Sequence, residues 1–325
     1  MATDKIKVAI AGGTGYTAGE LLRILTNHPG VEIISVMSTT SAGRPVTDFH
    51  RDLLGDTDLV FTDNPGSPDV VFLCLGHGLS REFLGTHTLP EGCKIIDLGQ
   101  DFRNDPDFDG KHFVYGLTDV FKSQIEGCDY LANPGCFATS IQLGLAPAAA
   151  LKIIEGEIHV TAITGATGAG RKLSETSHFP WRDNNISVYK PFSHQHLEEI
   201  GNTLKTLSGQ PQTVNFVPVR GDFARGIFAS IYFKCGTGAD EAAAIYKEYY
   251  KGSPFVFVSD TPVSLKEVVN TNKCLLHVES YNGYLHITSI IDNLLKGASG
   301  QAVENMNLMF GLERTTALKL KANAF

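Results

Sequence analysis

Short apolar runs separated by polar, glycine-rich turns open the chain. Ile6–Ala11 (IKVAIA), apolar but for Lys7, reads as a buried parallel strand, and a glycine-rich turn follows it. Leu21, Leu22 and Leu25 then fall at helical spacing until Pro29-Gly30 stops them. The strand pattern returns at Val31–Met37 and at residues 70–75, and further runs at 94–98 and 130–131 lead into the turn Asn133-Pro134-Gly135. This βαβ rhythm predicts a Rossmann-type doubly wound parallel sheet whose ligand crevice opens at the strand C-termini.

From about residue 137 the pattern changes. An Ala/Leu-rich helix is expected over 140–151, strands at 158–163, 212–218, 226–234 and 277–291, and a helix over 240–250. Strands gathered after one helix predict an α+β domain with a mainly antiparallel or mixed sheet. A last helix, 300–310, has Val303, Met306 and Met309/Phe310 on one face. At 325 residues the chain exceeds what one hydrophobic core usually organises. The division expected is 1–136 with 298–325 as a nucleotide domain, and 137–297 as a catalytic and dimerisation domain.

Composition narrows the class. Asp and Glu outnumber Lys and Arg by 35 to 27, a formal charge of -8, with no basic run to serve as a nucleic-acid footprint. No apolar stretch reaches the roughly eighteen residues of a membrane span, and the N-terminus lacks a leader pattern. The six cysteines show no paired short spacing, so neither a metal site nor a disulfide framework is expected. A reducing, cytoplasmic setting follows, with a small molecule rather than a nucleic acid or a membrane as the partner.

The string Gly12-Gly13-Thr14-Gly15-Tyr16-Thr17-Ala18-Gly19 stands between the first strand and the first helix. There glycine admits backbone N–H groups close to a pyrophosphate, which the helix dipole also attracts. The acidic residue that would bind the ribose 2′-hydroxyl of NAD is absent after the second strand. Ser38, Thr39, Thr40 and Ser41 stand there, followed by Arg44, a set suited to a 2′-phosphate and hence to NADP. Gly76-His77-Gly78 follows the strand at 70–75, where the crevice opens toward the nicotinamide.

Cys136 differs from the other five cysteines in its setting. A turn precedes it and an apolar helix follows, so the sulfur falls at a helix N-terminus, where the dipole favours the thiolate. The backbone N–H at this position is a candidate oxyanion donor. The proton-handling partner is sought in Ser193-His194-Gln195-His196-Leu197-Glu198-Glu199, where a nearby carboxylate could orient an imidazole; the sequence does not rank His194 against His196. Arg103, Arg171 with Lys172, and Arg225 are candidates for binding an anion.

Assembled, these segments resemble the N-acetyl-gamma-glutamyl-phosphate reductases, within the wider class of aspartate-semialdehyde dehydrogenase. The match runs through GGTGYTAGELL, SAGR, DLGQDFR, YGLTD, NPGCFAT, GATGAGRKLSE, HQHLEEI, FVPVRGDFARGI and KGASGQAVENMNLMFGL. The resemblance implies NADPH-dependent reduction of an N-acyl-gamma-glutamyl phosphate in arginine biosynthesis, with Cys136 as the acylated nucleophile and His194 or His196 as acid/base. It implies substrate contacts at Arg103, Arg225 and Glu199, return of the last helix to the cofactor domain with Asn305 among the cofactor residues, and a homodimer or homotetramer. Three positions depart from the family pattern: Ala18 replaces the third loop glycine, Thr39 an arginine, and Thr118 a proline whose loss is expected to touch only loop rigidity. The rival readings are the same chemistry on an aspartyl or aminoadipyl phosphate, and a nucleotide-sensing protein without turnover.

Overall fold

The computed structural model describes residues 5–323. The chain forms two compact units, one of residues 1–134 with 298–319, the other of residues 135–297 with 320–325. The residues from Leu320 on thus cluster with the second unit, and Asn323 N–H donates to the Val269 carbonyl there.

The first unit begins β1 (Ile6–Ala11), α1 (Tyr16–Leu25), β2 (Val31–Met37), β3 (Val70–Leu73), α2 (Leu79–Thr86) and β4 (Lys94–Asp97). Short strands β5 (Asp107–Phe108), β6 (Lys111–His112) and β7 (Val114–Tyr115), helix α3 (Thr118–Ile125) and β8 (Tyr130–Ala132) complete the run. Six strands make one sheet in the order β2-β1-β3-β4-β8-β7, parallel throughout. β3 is buried throughout and β1 from Val8 on, which is why VVFL and VAIA are unbroken apolar runs rather than alternating ones.

The second unit starts with α4 (Cys136–Ala150), then β9 (Glu155–Thr164), the short α5 (Phe179–Arg182) and β10 (Ser187–Val188), α6 (His196–Ser208), β11 (Val214–Arg220), β12 (Ile227–Lys234), α7 (Ala239–Tyr249), β13 (Val256–Ser259), β14 (Cys274–Tyr281) and β15 (Tyr284–Ile291). Its seven-stranded sheet runs β10-β11-β9-β12-β15-β14-β13 and mixes parallel with antiparallel pairs. One long strand was expected at 277–291; two antiparallel strands occur, turned at Asn282-Gly283, both with positive φ. Asn-Gly between alternating segments is a hairpin signal with a mechanism, since both turn residues must be left-handed.

α4 is buried nearly all round, unlike the one-sided helices of a surface layer. Pro147 inside it cannot donate to the Leu143 carbonyl. The Tyr250 hydroxyl donates to that carbonyl instead, at 2.5 Å, and the Tyr246 hydroxyl to Gly144 O at 2.7 Å. Neighbouring tyrosines thus repair the break the proline makes in the helix ladder.

The chain returns to the first unit through residues 298–319 and α8 (Gly300–Met309), which is buried on every face rather than along one apolar stripe. Its polar residues are therefore internal ties. Asn305 donates to Gly116 O at 2.8 Å and to Asn133 Oδ1 at 3.1 Å, and accepts from Thr118 Oγ1 at 2.8 Å. Thr118 is buried, heads α3 and fastens that helix to α8, a larger role than the rigidity of a loop.

Candidate active site

In the first unit the glycine loop is shaped by close approaches. Gly12 has φ +81° and a Cβ there would lie 2.4 Å from Cys74 O; one on Gly13 would lie 2.5 Å from Val36 Cγ1. At Gly15 an added Cβ would make only ordinary contacts, the nearest atom 3.8 Å away. The Gly13 N–H donates to Met37 O at 2.8 Å and the Gly15 N–H to Gly12 O at 3.4 Å, which fixes the turn. The α1 first turn holds no acidic residue and Gly15 offers no side-chain cap, so the N–H groups of that turn, without a competing carboxylate, are the ones that fit a phosphate group. Ala18, in place of the third glycine, is fully buried, and the close packing falls on Gly19, where a Cβ would meet the His50 ring at 2.6 Å.

Other residues expected near the nucleotide are placed as follows. Thr14, Tyr16 and Thr17 continue the loop into α1, and the Thr17 carbonyl accepts from Ser299 Oγ at 2.8 Å. Ser38 Oγ lies 3.5 Å from Thr40 Oγ1, Thr39 is exposed and Ser41 is buried. Arg44 is exposed, pairs with Asp48 at 3.0 Å and covers the Phe49 ring at 4.9 Å. Gly76 and His77 are exposed at the end of the β3 segment, with His77 Nδ1 3.5 Å from Asp101. Asp101 accepts from the N–H groups of Gly78, Ser80 and Arg81 and so caps α2. Asn305, expected at the cofactor, has its amide committed to the internal ties described above.

The second unit assembles the surroundings of Cys136. Cys136 is the first residue of α4, with Gly135 extended as its N-cap. The Gly135 N–H donates to Glu199 Oε2 at 3.1 Å, and His196 Nε2 lies 3.8 Å from Glu199 Oε1. The imidazole of His196 rests on Gly135, where an added Cβ would come within 2.3 Å of Nε2. Glycine before the cysteine is thus a requirement of the histidine's approach. Gln142 Nε2 donates to the Glu199 carbonyl at 3.0 Å, tying α4 to α6. Behind the cysteine, a Cβ on Gly297 would lie 2.8 Å from Cys136 Cβ, so that chain also passes in contact.

His194 and His196 sit together with ring centroids 4.6 Å apart, in different roles. His194 Nδ1 accepts the His196 backbone N–H at 3.2 Å, and its ring packs edge-on against Phe137 and Phe216. Burial, with the nearby charge of His196 second, pushes His194 down to about 3, so it is neutral at ordinary pH. Burial drives the thiols of Cys74 and Cys93 up to about 12 and that of Cys128 to about 11, which leaves them protonated and inert.

The expected anion-binding arginines have other engagements. Arg103 donates from Nε to Asn133 O at 2.9 Å and from Nη2 to Leu98 O at 3.0 Å, bracing the chain before Pro134. Arg225 grips the buried Asp292 with two bonds of 3.0 and 3.1 Å, and Asp292 also accepts from the N–H groups of Asn270, Leu294 and Leu295. Sequence reasoning missed Gln142, Tyr189, Arg220 and Asp292. Gln142 carried a signal, a polar residue inside an apolar helix; Arg220 carried one too, an arginine just beyond the strand expected at 212–218, which in the structure extends to include it.

Known proteins resemble the chain along nearly its whole length. Residues 7–128 match the semialdehyde dehydrogenase NAD binding domain and residues 136–293 the semialdehyde dehydrogenase dimerisation domain. The N-acetyl-gamma-glutamyl-phosphate reductase of Flavobacterium johnsoniae is 54% identical over 325 residues, covering 98% of this chain and 100% of that protein. That of Parabacteroides distasonis is 52% identical over 324 residues, with the same coverage. Among solved structures, aspartate semialdehyde dehydrogenase II from Vibrio cholerae, complexed with ASA, superposes with a TM-score of 0.73 at 16% identity, over 95% of this chain and 99% of that one. A probable aspartate-semialdehyde dehydrogenase from Pseudomonas aeruginosa gives 0.72 at 16%, over 94% and 99%. At such identity the structures speak for the fold.

Proposed function

The chain belongs to the N-acetyl-gamma-glutamyl-phosphate reductase family of semialdehyde dehydrogenases, and on that premise we propose that it reduces an N-acyl-gamma-glutamyl phosphate to the 5-semialdehyde in arginine biosynthesis, through a thioester on Cys136. The observation that carries the reading is the cysteine at the head of α4, joined through Gly135 to a His196–Glu199 pair. The Cys136 thiolate attacks the acyl carbon, the carbon–oxygen bond to phosphate breaks, and inorganic phosphate leaves. NADPH, when bound, supplies the hydride that brings the thioester to the aldehyde level; Gly12, Gly13 and Gly15 are the residues suited to its pyrophosphate. The first-turn N–H groups of α4 face the oxygen on which negative charge builds. His196 donates a proton to that oxygen and takes it back as the carbon–sulfur bond breaks, which returns the thiolate and frees the aldehyde.

His196 is the acid/base in this reading and His194 is a positioning residue. A ring at about 3 holds no proton to give, and its Nδ1 is occupied by the His196 N–H. Ser38, Ser41 and Arg44 serve the 2′-phosphate of NADP, with Arg44 leaving Asp48 to do so. The dimerisation domain of the family supports an oligomer.

The test is a pair of variants assayed with N-acyl-glutamate semialdehyde, phosphate and NADP. His196→Asn is expected to lower kcat about 100- to 10,000-fold, the usual worth of a general acid/base. His194→Asn, which keeps an acceptor for the His196 N–H, loses far less. The reverse ranking would assign the proton transfer to His194.

A further inference from the structure

One cation of the second unit stands apart from its neighbours. Arg182 donates to Thr176 O, Asn185 O, Arg220 O and Ser187 Oγ, and Arg225 is clasped by Asp292. Arg220, the last residue of β11, has a buried Nε with no hydrogen-bond partner, and its guanidinium carbon lies over the Tyr189 ring, 4.6 Å from the centroid, with a side-chain hydrogen bond to that tyrosine. Asp222, two residues on, is engaged by the Asn184 N–H.

Arg220 is also within electrostatic reach of the reacting group. Its charge is felt by His194, and Tyr189 feels both Arg220 and Cys136. The strand end is pinned: β11 pairs with β9 on one side and β10 on the other, and the Gly221 N–H donates to Thr164 O at 2.9 Å. A buried donor left unsatisfied is destabilising, and an arriving anion removes that cost. A guanidinium resting over an aromatic ring keeps its planar fork of donors, the geometry that carboxylate and phosphoryl oxygens accept.

We propose that Arg220, over the Tyr189 ring and close to His194, is the residue that grips an anionic group of the substrate, a role expected of Arg103 and Arg225, whose donors are committed within the protein. The substrate of the reaction described above carries two such groups, its carboxylate and its phosphoryl group, and the inference rests on that reading.

The experiment uses the full chain with Arg220→Met and Arg220→Lys. In the oxidative direction the semialdehyde and phosphate are separate substrates. Loss of two charge-assisted bonds raises one KM about 10- to 100-fold, with kcat changed much less. A rise for the semialdehyde assigns the carboxylate; a rise for phosphate assigns the phosphoryl group. Lysine, a point charge without the fork, restores only part of the loss, and added guanidinium chloride restores part of the activity of Arg220→Met. Both KM values within threefold of the parent, or no response to guanidinium, overturn the proposal. A second readout does not depend on turnover: the parent should favour anionic iodoacetate over neutral iodoacetamide in alkylating Cys136, more than Arg220→Met does. If the parent turns over no acyl-glutamate semialdehyde, the functional reading fails, and the alkylation ratio alone decides on Arg220.

Discussion

His194 and Gly135 show how much a single position decides. Burial holds the His194 imidazole at about 3, against an ordinary value near 6.5 for a free histidine. The folded value is depressed, so this residue's contribution to stability is complete above pH 6.5 and is lost as pH falls from there toward 3, where the unfolded chain binds a proton that the folded chain refuses. By pH 5 the loss attributable to His194 is about 2 kcal/mol. Urea midpoints at pH 8 and pH 5 measure it, and in His194→Asn the gap between them should shrink by that amount; an unchanged gap contradicts it. Gly135 meets a steric limit. An alanine Cβ would fall 2.3 Å from His196 Nε2, so the ring must move. Gly135→Ala is expected to cost about 1–3 kcal/mol in stability and to lower kcat about 100-fold, since a shift of an ångström in a catalytic group has that effect. An alanine variant with parental kcat would remove the close approach from the mechanism.

Among elements, those with strong periodicity or punctuation were legible: the strands and helix around the glycine loop, the helix behind Cys136, and α7, expected at 240–250 and found at Ala239–Tyr249. α6 was not, because its apolar positions are diluted by Glu198, Glu199 and Asn202, and it begins at His196, a residue read for its chemistry alone. The hairpin of β14 and β15 was run together because apolar residues continue on both sides of Asn282-Gly283. Site residues follow the same division. Turn and helix signals placed Cys136 at the head of a helix, as found, whereas the histidine pair was singled out by its chemistry and the carboxylates beside it. The committed arginines were not legible as such, since the carboxylate that clasps Arg225 is 67 residues away. That clasp predicts an effect at the level of the element. Arg225→Ala leaves Asp292 buried and uncompensated, and should destabilise the protein by about 3–5 kcal/mol while KM for both substrates stays near the parental value. A large KM effect with unaltered melting would return Arg225 to the substrate.

At the scale of the whole chain, the glycine loop falls in one unit and Cys136 in the other. The chain crosses between them at Pro134-Gly135, at Gly297-Ala298 and at Lys319-Leu320. Within the first unit Asn133 Nδ2 donates to Ala298 O at 3.1 Å, and within the second Gly297 packs against Cys136. The first two crossings fall inside NPGCFAT and KGASGQAVENMNLM, two of the segments that carry the family likeness. The central claim is that Cys136 carries the acyl group covalently, and mass spectrometry tests it most directly. The protein is mixed with the acyl phosphate in the absence of NADPH, quenched in acid and digested. The account predicts the acyl mass on the peptide containing Cys136, its removal on adding NADPH, and no adduct in Cys136→Ser; turnover without such an adduct, or an active Cys136→Ser, would contradict it.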